Sequence, residues 1–172
     1  GMMPANVVGL KVNGTINAND FTQMLTNMKA LLRLDLSDCD ITDIPDKALS
    51  GKAQLQELIL PSKLQIIGKN AFKDCKGLIN INLSNNLKII GENAFFGCAN
   101  LKSINIPNGV KIIEENTFNG CSSLTSVVIP NSVSNIGEYA FAFCSNLESI
   151  VLSNQITKIE NNFHFEQHSI TF

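Results

Sequence analysis

The sequence contains no tryptophan, one tyrosine and two histidines in 172 residues. Its ten phenylalanines recur at regular intervals, a pattern that suits a core better than a base-stacking surface. Charge is also scarce. Thirteen basic residues stand against fifteen acidic ones, a net charge of −2, and no run of about five or more like charges occurs. The clustered Lys/Arg footprint that binds a phosphate backbone is missing, which disfavours nucleic acid as a partner. No stretch reaches the roughly 18 consecutive apolar residues that suggest a membrane-spanning helix. The opening Gly1-Met2-Met3-Pro4 lacks the charged region and apolar run of a secretory signal. Gly1 ahead of Met2 looks like the remnant of a removed tag, so this says little about the compartment.

Catalytic patterns are missing too. There is no Gly-x-Ser-x-Gly, no Gly-x-x-x-x-Gly-Lys-Ser/Thr and no Gly-x-Gly-x-x-Gly, the spacings that carry a nucleophile elbow or a phosphate cradle. Both histidines, His164 and His168, lie at the C-terminal end, near Glu160 and Glu166. On a helix their spacing would put two imidazoles on one face for zinc, but the residue after the first is Phe165 rather than the general-base glutamate of that motif. An exposed tail is the simpler reading. The chain is expected to be no enzyme and to carry no cofactor and no metal.

What the sequence has is a repeat, and repeats decide architecture. Leu55, Leu78, Leu101, Leu124 and Leu147 are each 23 residues apart. Each opens the pattern Leu-x-x-apolar-x-apolar: Leu55/Leu58/Leu60, Leu78/Ile81/Leu83, Leu101/Ile104/Ile106, Leu124/Val127/Ile129 and Leu147/Ile150/Leu152. Earlier copies are Leu31/Leu34/Leu36 and the weaker Val7/Leu10/Val12, each 24 residues upstream of the next. The second half of the unit repeats as strongly. Ile67-Gly68-x-x-Ala71-Phe72-x-x-Cys75 returns at Ile90 to Cys98, at Ile113 to Cys121 with Glu114 and Thr117, and at Ile136 to Cys144.

Apolar-x-apolar is the period of a strand with one buried face. Pro61, Pro107 and Pro130 follow three such strands and withhold the next ladder donor; the Asn, Ser and Gly residues beyond them suit the turn out of the sheet. Ala-Phe-x-x-Cys is too short for a full α-helix and is expected to form one helical or 3₁₀ turn on the outer side. A single coil leaves its apolar side exposed, so coils must stack, at about 4.8 Å each. Seven coils then span on the order of 30 Å.

The unit Leu-x-x-Ile-x-Leu-Pro followed by Ile-Gly-x-x-Ala-Phe-x-x-Cys resembles the BspA-type leucine-rich repeat, over residues 31–163. That family occurs on surface and secreted proteins of gut and oral bacteria and in some protozoa. The resemblance implies an α/β, right-handed leucine-rich-repeat solenoid, a role in adhesion or partner binding, and a cell-surface or secreted location. It carries over no catalytic residue.

One domain is expected over residues 1–172: a cap coil with a helix at 7–30, repeats at 31–163 and a C-terminal cap or tail at 164–172. In the cap, Phe21, Met24, Leu25 and Met28 have helical spacing, with Asn19 or Asp20 as N-cap and Gln23 closing a capping box on Asp20. At the other end Phe163 keeps the Phe position, Asn162 replaces Ala, Glu166 falls where Cys would be, and Ile170 with Phe172 suits a final short strand.

Three columns invite a chemical reading. Cys75, Cys98, Cys121 and Cys144 stack in one file but lack the close pairs of a metal site. Side chains in one file point the same way, poor geometry for a disulfide even where Cα spacing allows one; buried free thiols fit best. Cys39 lies outside this file and is expected to be the exposed thiol. Phe72, Phe95, Phe118, Phe141 and Phe163 should form the core spine. The acidic group Asp35, Asp38, Asp40, Asp43 and Asp46 lacks the glycine and terminal glutamate of a calcium loop and reads as solvated turn residues.

Binding is then expected on the outward residues of the first strand of each coil, on the concave face such scaffolds use for recognition. These are Arg33, Glu57, Asn80, Ser103, Ser126 and Ser149 in one row, and Asp35, Ile59, Asn82, Asn105, Val128 and Val151 in the other. Charge gives way to small polar and apolar residues along the stack, so Val128 and Val151 should form a flat, partly apolar patch. The expected function is a non-catalytic protein-interaction or adhesion module, with a protein partner and possible self-association. A structural spacer or stalk, or a self-associating scaffold, is the alternative.

Overall fold

The structure, a computed structural model, describes residues 7–160 and 169–171. The first strand of each coil runs side by side with its neighbours in parallel. β1 (Gly9–Gly14) pairs with β2 (Arg33–Cys39) after the single helix of the described residues, α1 (Ala18–Asn27). β3 (Asp43–Ile44) closes that coil; β4 (Glu57–Ile59) and β5 (Ile66–Ile67), then β6 (Asn80–Ile81) and β7 (Ile89–Ile90), build the next two. The fifth coil contributes β8 (Ile112–Ile113), the sixth β9 (Ser126–Val128) and β10 (Asn135–Ile136), the seventh β11 (Ser149–Val151) and β12 (Lys158–Ile159), and β13 (Ser169–Thr171) closes the series. This is a parallel-strand solenoid of about seven turns.

The register follows the repeat. Leu34 pairs with Leu58 and Leu58 with Ile81; further along, Val127 pairs with Ile150. Residues one period apart therefore sit over one another. The first-strand residues form two ladders, β1-β2-β4-β6 and β9-β11-β13, where the repeat suggested one wall. Between them the first-strand position of the fifth coil meets its neighbour in a bridge from Asn80 to Ser103. The final strand expected at Ile170 is present, with Ile150 opposite Ile170. Phe172 lies outside the described residues, as do Asn162, Phe163, His164, Glu166 and His168.

A second pair of ladders, β3-β5-β7 and β8-β10-β12, was not foreseen. It buries Ile44, Ile67, Ile90, Ile113 and Ile136 in one column. The Ile-Ile pairs at 66–67, 89–90 and 112–113 are the signal: β-branched residues favour extended backbone, but two residues are too few to show a period.

The expected helical turn at Ala-Phe-x-x-Cys is also replaced. Within each coil alternate residues bond three back, as from Ala71 N–H to Gly68 O, Lys73 to Asn70 and Cys75 to Phe72. The residues between donate to the next coil, Asn70 N–H to Glu92 O, Phe72 to Ala94 and Asp74 to Phe96, at 2.7–2.9 Å. This is a stack of turns, each turn satisfying its neighbour. Asn70, Asn93 and Asn116 take left-handed backbone at φ 55–57°, a conformation asparagine tolerates better than most residues. Tight stacking explains Gly91 and Gly137. A Cβ on Gly91 would come within 2.7 Å of the Lys69 backbone nitrogen, and one on Gly137 within 2.6 Å of that of Glu115.

The core is the set of aligned columns. Phe72, Phe95 and Phe118 are fully buried and Phe141 nearly so; their ring centroids are 5.3, 5.5 and 5.3 Å apart along the stack. At the N-terminal end Phe21 and Met24 of α1, with its C-cap Met28, pack onto the same core. The helix is capped two residues before Asn19, the earlier of the two positions the sequence suggested. Asn17 is the N-cap, its side chain accepting from Asn19 N–H at 2.8 Å, while Asp20 accepts from Asn17 N–H at 2.8 Å. Asp20 thus serves as the third residue of the box, not its cap. Lys52 occupies the cysteine file one period before Cys75, is 6% exposed, and donates from Nζ to Met28 O at 2.7 Å. It satisfies a carbonyl at the helix C-terminus, where positive charge is favoured, although burial pulls its pKa down.

Replacing Phe95, which has a ring on either side, by alanine should cost about 3–5 kcal/mol. Urea unfolding of Phe95→Ala should show the lower midpoint; a loss under about 1 kcal/mol would mean that the column collapses to fill the gap.

Candidate interaction surface

The outward residues of the first ladders flank the central inward residue of each strand, so strand alternation there decides which side chains meet solvent. All residues of the two expected rows are exposed, apart from Asp35 and Ser149, which are half-buried. Register brings Arg33, Glu57 and Asn80 together, with Ser103 bridged to Asn80. It also pairs Asp35 with Ile59, Ser126 with Ser149, and Val128 with Val151. Asn82 and Asn105 are exposed just beyond their strands.

Two regions of different chemistry result. At the N-terminal end Gly9, Leu10, Lys11, Arg33, Leu34, Asp35, Glu57 and Ile59 line a shallow depression of about 280 Å³. Its charges are paired. Arg33 Nε lies 2.8 Å from Glu57, and Lys11 Nζ is 2.9 Å from Asp38 and 3.7 Å from Asp35. The bond and charge of Asp38, reinforced by Asp35, raise the pKa of Lys11. The hydroxyl and backbone N–H of Ser37 hold the carboxyl of Asp35 below its ordinary value. Such exposed pairs contribute little stability, but they fix where charge is displayed. At the other end Val128 is 62% exposed and Val151 42%, beside Ser126 and Ser149.

The acidic group splits up. Asp35 and Asp38 face Lys11, Asp40 pairs with Lys63 at 2.9 Å and has its pKa lowered by it, and Asp46 accepts from Lys69 N–H at 2.7 Å. Among the described residues no three His, Cys, Asp or Glu side chains converge as a metal site would require.

The thiols are reduced and buried, Cys39 included. That corrects the expectation of an exposed Cys39: it ends the seven-residue β2, longer than the repeat implied, and its Sγ donates to Val12 O at 3.3 Å. Cys75, Cys98, Cys121 and Cys144 likewise donate to Leu49, Phe72, Phe95 and Phe118 carbonyls at 3.1–3.3 Å. Burial pushes the Cys75 and Cys144 thiols up to about 12 and those of Cys98 and Cys121 well above the ordinary range. A thiol held protonated is a poor nucleophile, so this file is scaffold.

The match to known proteins agrees with this geometry. The family model for the BspA type leucine rich repeat region matches residues 42–171 in six copies. Among solved structures, a leucine-rich repeat protein of T. pallidum is 25% identical, with a TM-score of 0.64 over 94% of this chain and 78% of that one. One from Bacteroides ovatus, 22% identical, gives a TM-score of 0.70 over 89% of this chain. One from Eubacterium ventriosum, 20% identical, gives 0.60 over 99%. The chain spans 45% of each of these last two. Among curated proteins none matches.

The raised thiol pKa values have a consequence with a definite sign. A group whose pKa is higher folded than unfolded adds stability that is complete below the unfolded value and is lost as pH rises toward the folded one. The urea midpoint should therefore fall from about pH 9 upward, where unfolded thiols ionise and buried ones do not. In Cys98→Ala/Cys121→Ala the decline should be shallower; an unchanged slope would assign it to other groups.

Proposed function

The chain belongs to the BspA-type leucine-rich repeat family, and on that premise we propose that it is a non-catalytic binding module whose first-ladder face docks a protein partner. Leucine-rich repeats are generally protein-interaction modules. The observation that carries the proposal is the paired, exposed Val128 and Val151 beside small serines: a flat apolar centre to which a partner's side chains can approach closely. The ion-paired depression around Arg33 and Glu57 lies in the other first-strand ladder and would set orientation, since charges at an interface steer more than they bind.

Several finer features belong to the same proposal. The chain acts as one domain, with right-handed winding as parallel crossover connections favour, and α1 covers the N-terminal coil. An all-β interior with one terminal helix fits that role, because an end coil has a neighbour on one side only. The first-strand face is taken as the concave one. A cell-surface or secreted setting, and adhesion as the biological use, follow from the family and from nothing in the site itself. No helix among the described residues is long and apolar enough to cross a membrane.

The test is Val128→Asp/Val151→Asp, two exposed changes that should leave the thermal midpoint within a few degrees. Capture from surface and extracellular-matrix protein preparations by the wild-type chain should be lost in the variant. Equal capture by folded wild type and variant would move the site off this face.

A further inference from the structure

The second ladders carry an apolar feature that the proposed function does not use. Their outward column reads Asp43, Ile66, Ile89, Ile112, Asn135 and Lys158. Its ends are polar, as an exposed strand position should be, while the three central coils present isoleucines that are 36%, 49% and 41% exposed. Their inward neighbours Ile67, Ile90 and Ile113 already fill the core completely, so the outer isoleucines contribute nothing to it. Bounded apolar surface rimmed by polar residues marks a contact site.

Charge is distributed unevenly about this ridge. Just before its isoleucines stand Gln65, half-buried, and Lys88 and Lys111, both exposed; three positions after them stand Lys69, exposed, Glu92, half-buried, and Glu115, exposed. Lys88 Nζ reaches Gln65 Oε1 at 3.1 Å and Glu92 is bound to Lys69. Lys111 has no ion pair among the described residues. In the fourth and fifth coils lysine before the ridge and glutamate after it make this face complementary to itself under a single operation. A two-fold axis laid along the stack, above the Ile67-Ile90-Ile113 column, exchanges left for right while keeping each coil opposite its own copy. Lys111 then faces Glu115 of the second copy, Glu115 faces its Lys111, and the ridges lie flank to flank. An axis laid across the stack would set lysine against lysine.

We infer that this isoleucine ridge is a homotypic contact: two copies of the chain pair through it side by side, stacks parallel, with Lys111 of each copy facing Glu115 of the other. The interface is isologous, as two-fold symmetry requires. It is small beside the roughly 800 Å² per partner of a standard stable interface, so association is weak and concentration-dependent. Pairing here leaves Val128 and Val151 free for a different protein, and it does not rest on the reading of that face.

Sedimentation equilibrium over a wide concentration range, at low and high salt, tests the idea. The wild type should dimerise, less so in high salt because Lys111 and Glu115 are exposed. Ile89→Asp should abolish dimerisation, and Lys111→Glu or Glu115→Lys alone should weaken it by about tenfold or more by placing like charges opposite one another. An equimolar mixture of Lys111→Glu and Glu115→Lys chains should recover heterodimer, because each new charge then meets its opposite. Circular dichroism and thermal melts of the same samples establish that all are folded. The proposal is overturned by a wild type that stays monomeric at every concentration, by dimers indifferent to all three substitutions, or by a mixture that associates no better than its components.

Discussion

The constraint on which the rest depends is that each coil must place its side chains over those of the coil before it, and the phenylalanine column is where this is strictest. Rings from Phe72 to Phe141 stack at 5.3–5.5 Å, slightly more than the strand spacing of about 4.8 Å. Phe72 and Phe95 are tilted by 36° while the next two pairs are stacked at 8° and 15°, and centroid spacings in this range are favourable for aromatic pairs. The column also crosses the place where the strands do not. No ladder joins β7 to β8 or β6 to β9 among the described residues, yet Asn93, Phe95 and Gly97 still donate to Glu115, Thr117 and Asn119 at 2.8–3.0 Å. Continuity through the middle of the molecule is carried by the turns and the rings they position.

Aligned columns explain why the inward residues were legible and the outward ones only in part. Leu55 through Leu147, the Phe file and the Cys file each recur because a coil that breaks the file loses a neighbour on both sides. Periodicity in the sequence is that demand written out. The second ladders were missed because Ile66-Ile67 and its copies supply one inward and one outward residue of the same type, which hides alternation. The outer segment is expected to make a single helical or 3₁₀ turn because Ala-Phe-x-x-Cys has helix-compatible spacing, and stacked turns take its place. The contrary signal, asparagine at 70, 93 and 116, concerns backbone conformation and not hydrophobicity. Cys39 was misplaced because β2 runs to seven residues, past the point where the repeat would have turned.

Departures from the files are as informative as the files. Lys52 stands where later coils have cysteine, and in both cases the buried group donates to a carbonyl of the preceding layer: Met28 O for the lysine, Leu49 O for Cys75. Buried polar groups must be satisfied, and a short thiol suffices where the layer below is another turn. Where that layer is the end of α1 the carbonyl is farther away, and the longer side chain reaches it. One position thus meets the same need with two chemistries, according to what lies beneath.

The same logic bears on where function can reside. Stability in a stack is nearly a sum of coil and nearest-neighbour contributions, so an inward substitution is felt locally and strongly, and an outward one hardly at all. Exposed Val128, Val151, Ile66, Ile89 and Ile112 therefore owe to folding only the preference of β-branched residues for extended backbone. Each sits opposite a buried side chain that already fills its coil, on a strand whose register is fixed without it. An apolar side chain that the core does not use, repeated in adjacent coils on two separate faces, is best accounted for by what meets those faces. Two faces with different rims, small serines on one and lysine across the ridge from glutamate on the other, suit the two different occupants proposed for them.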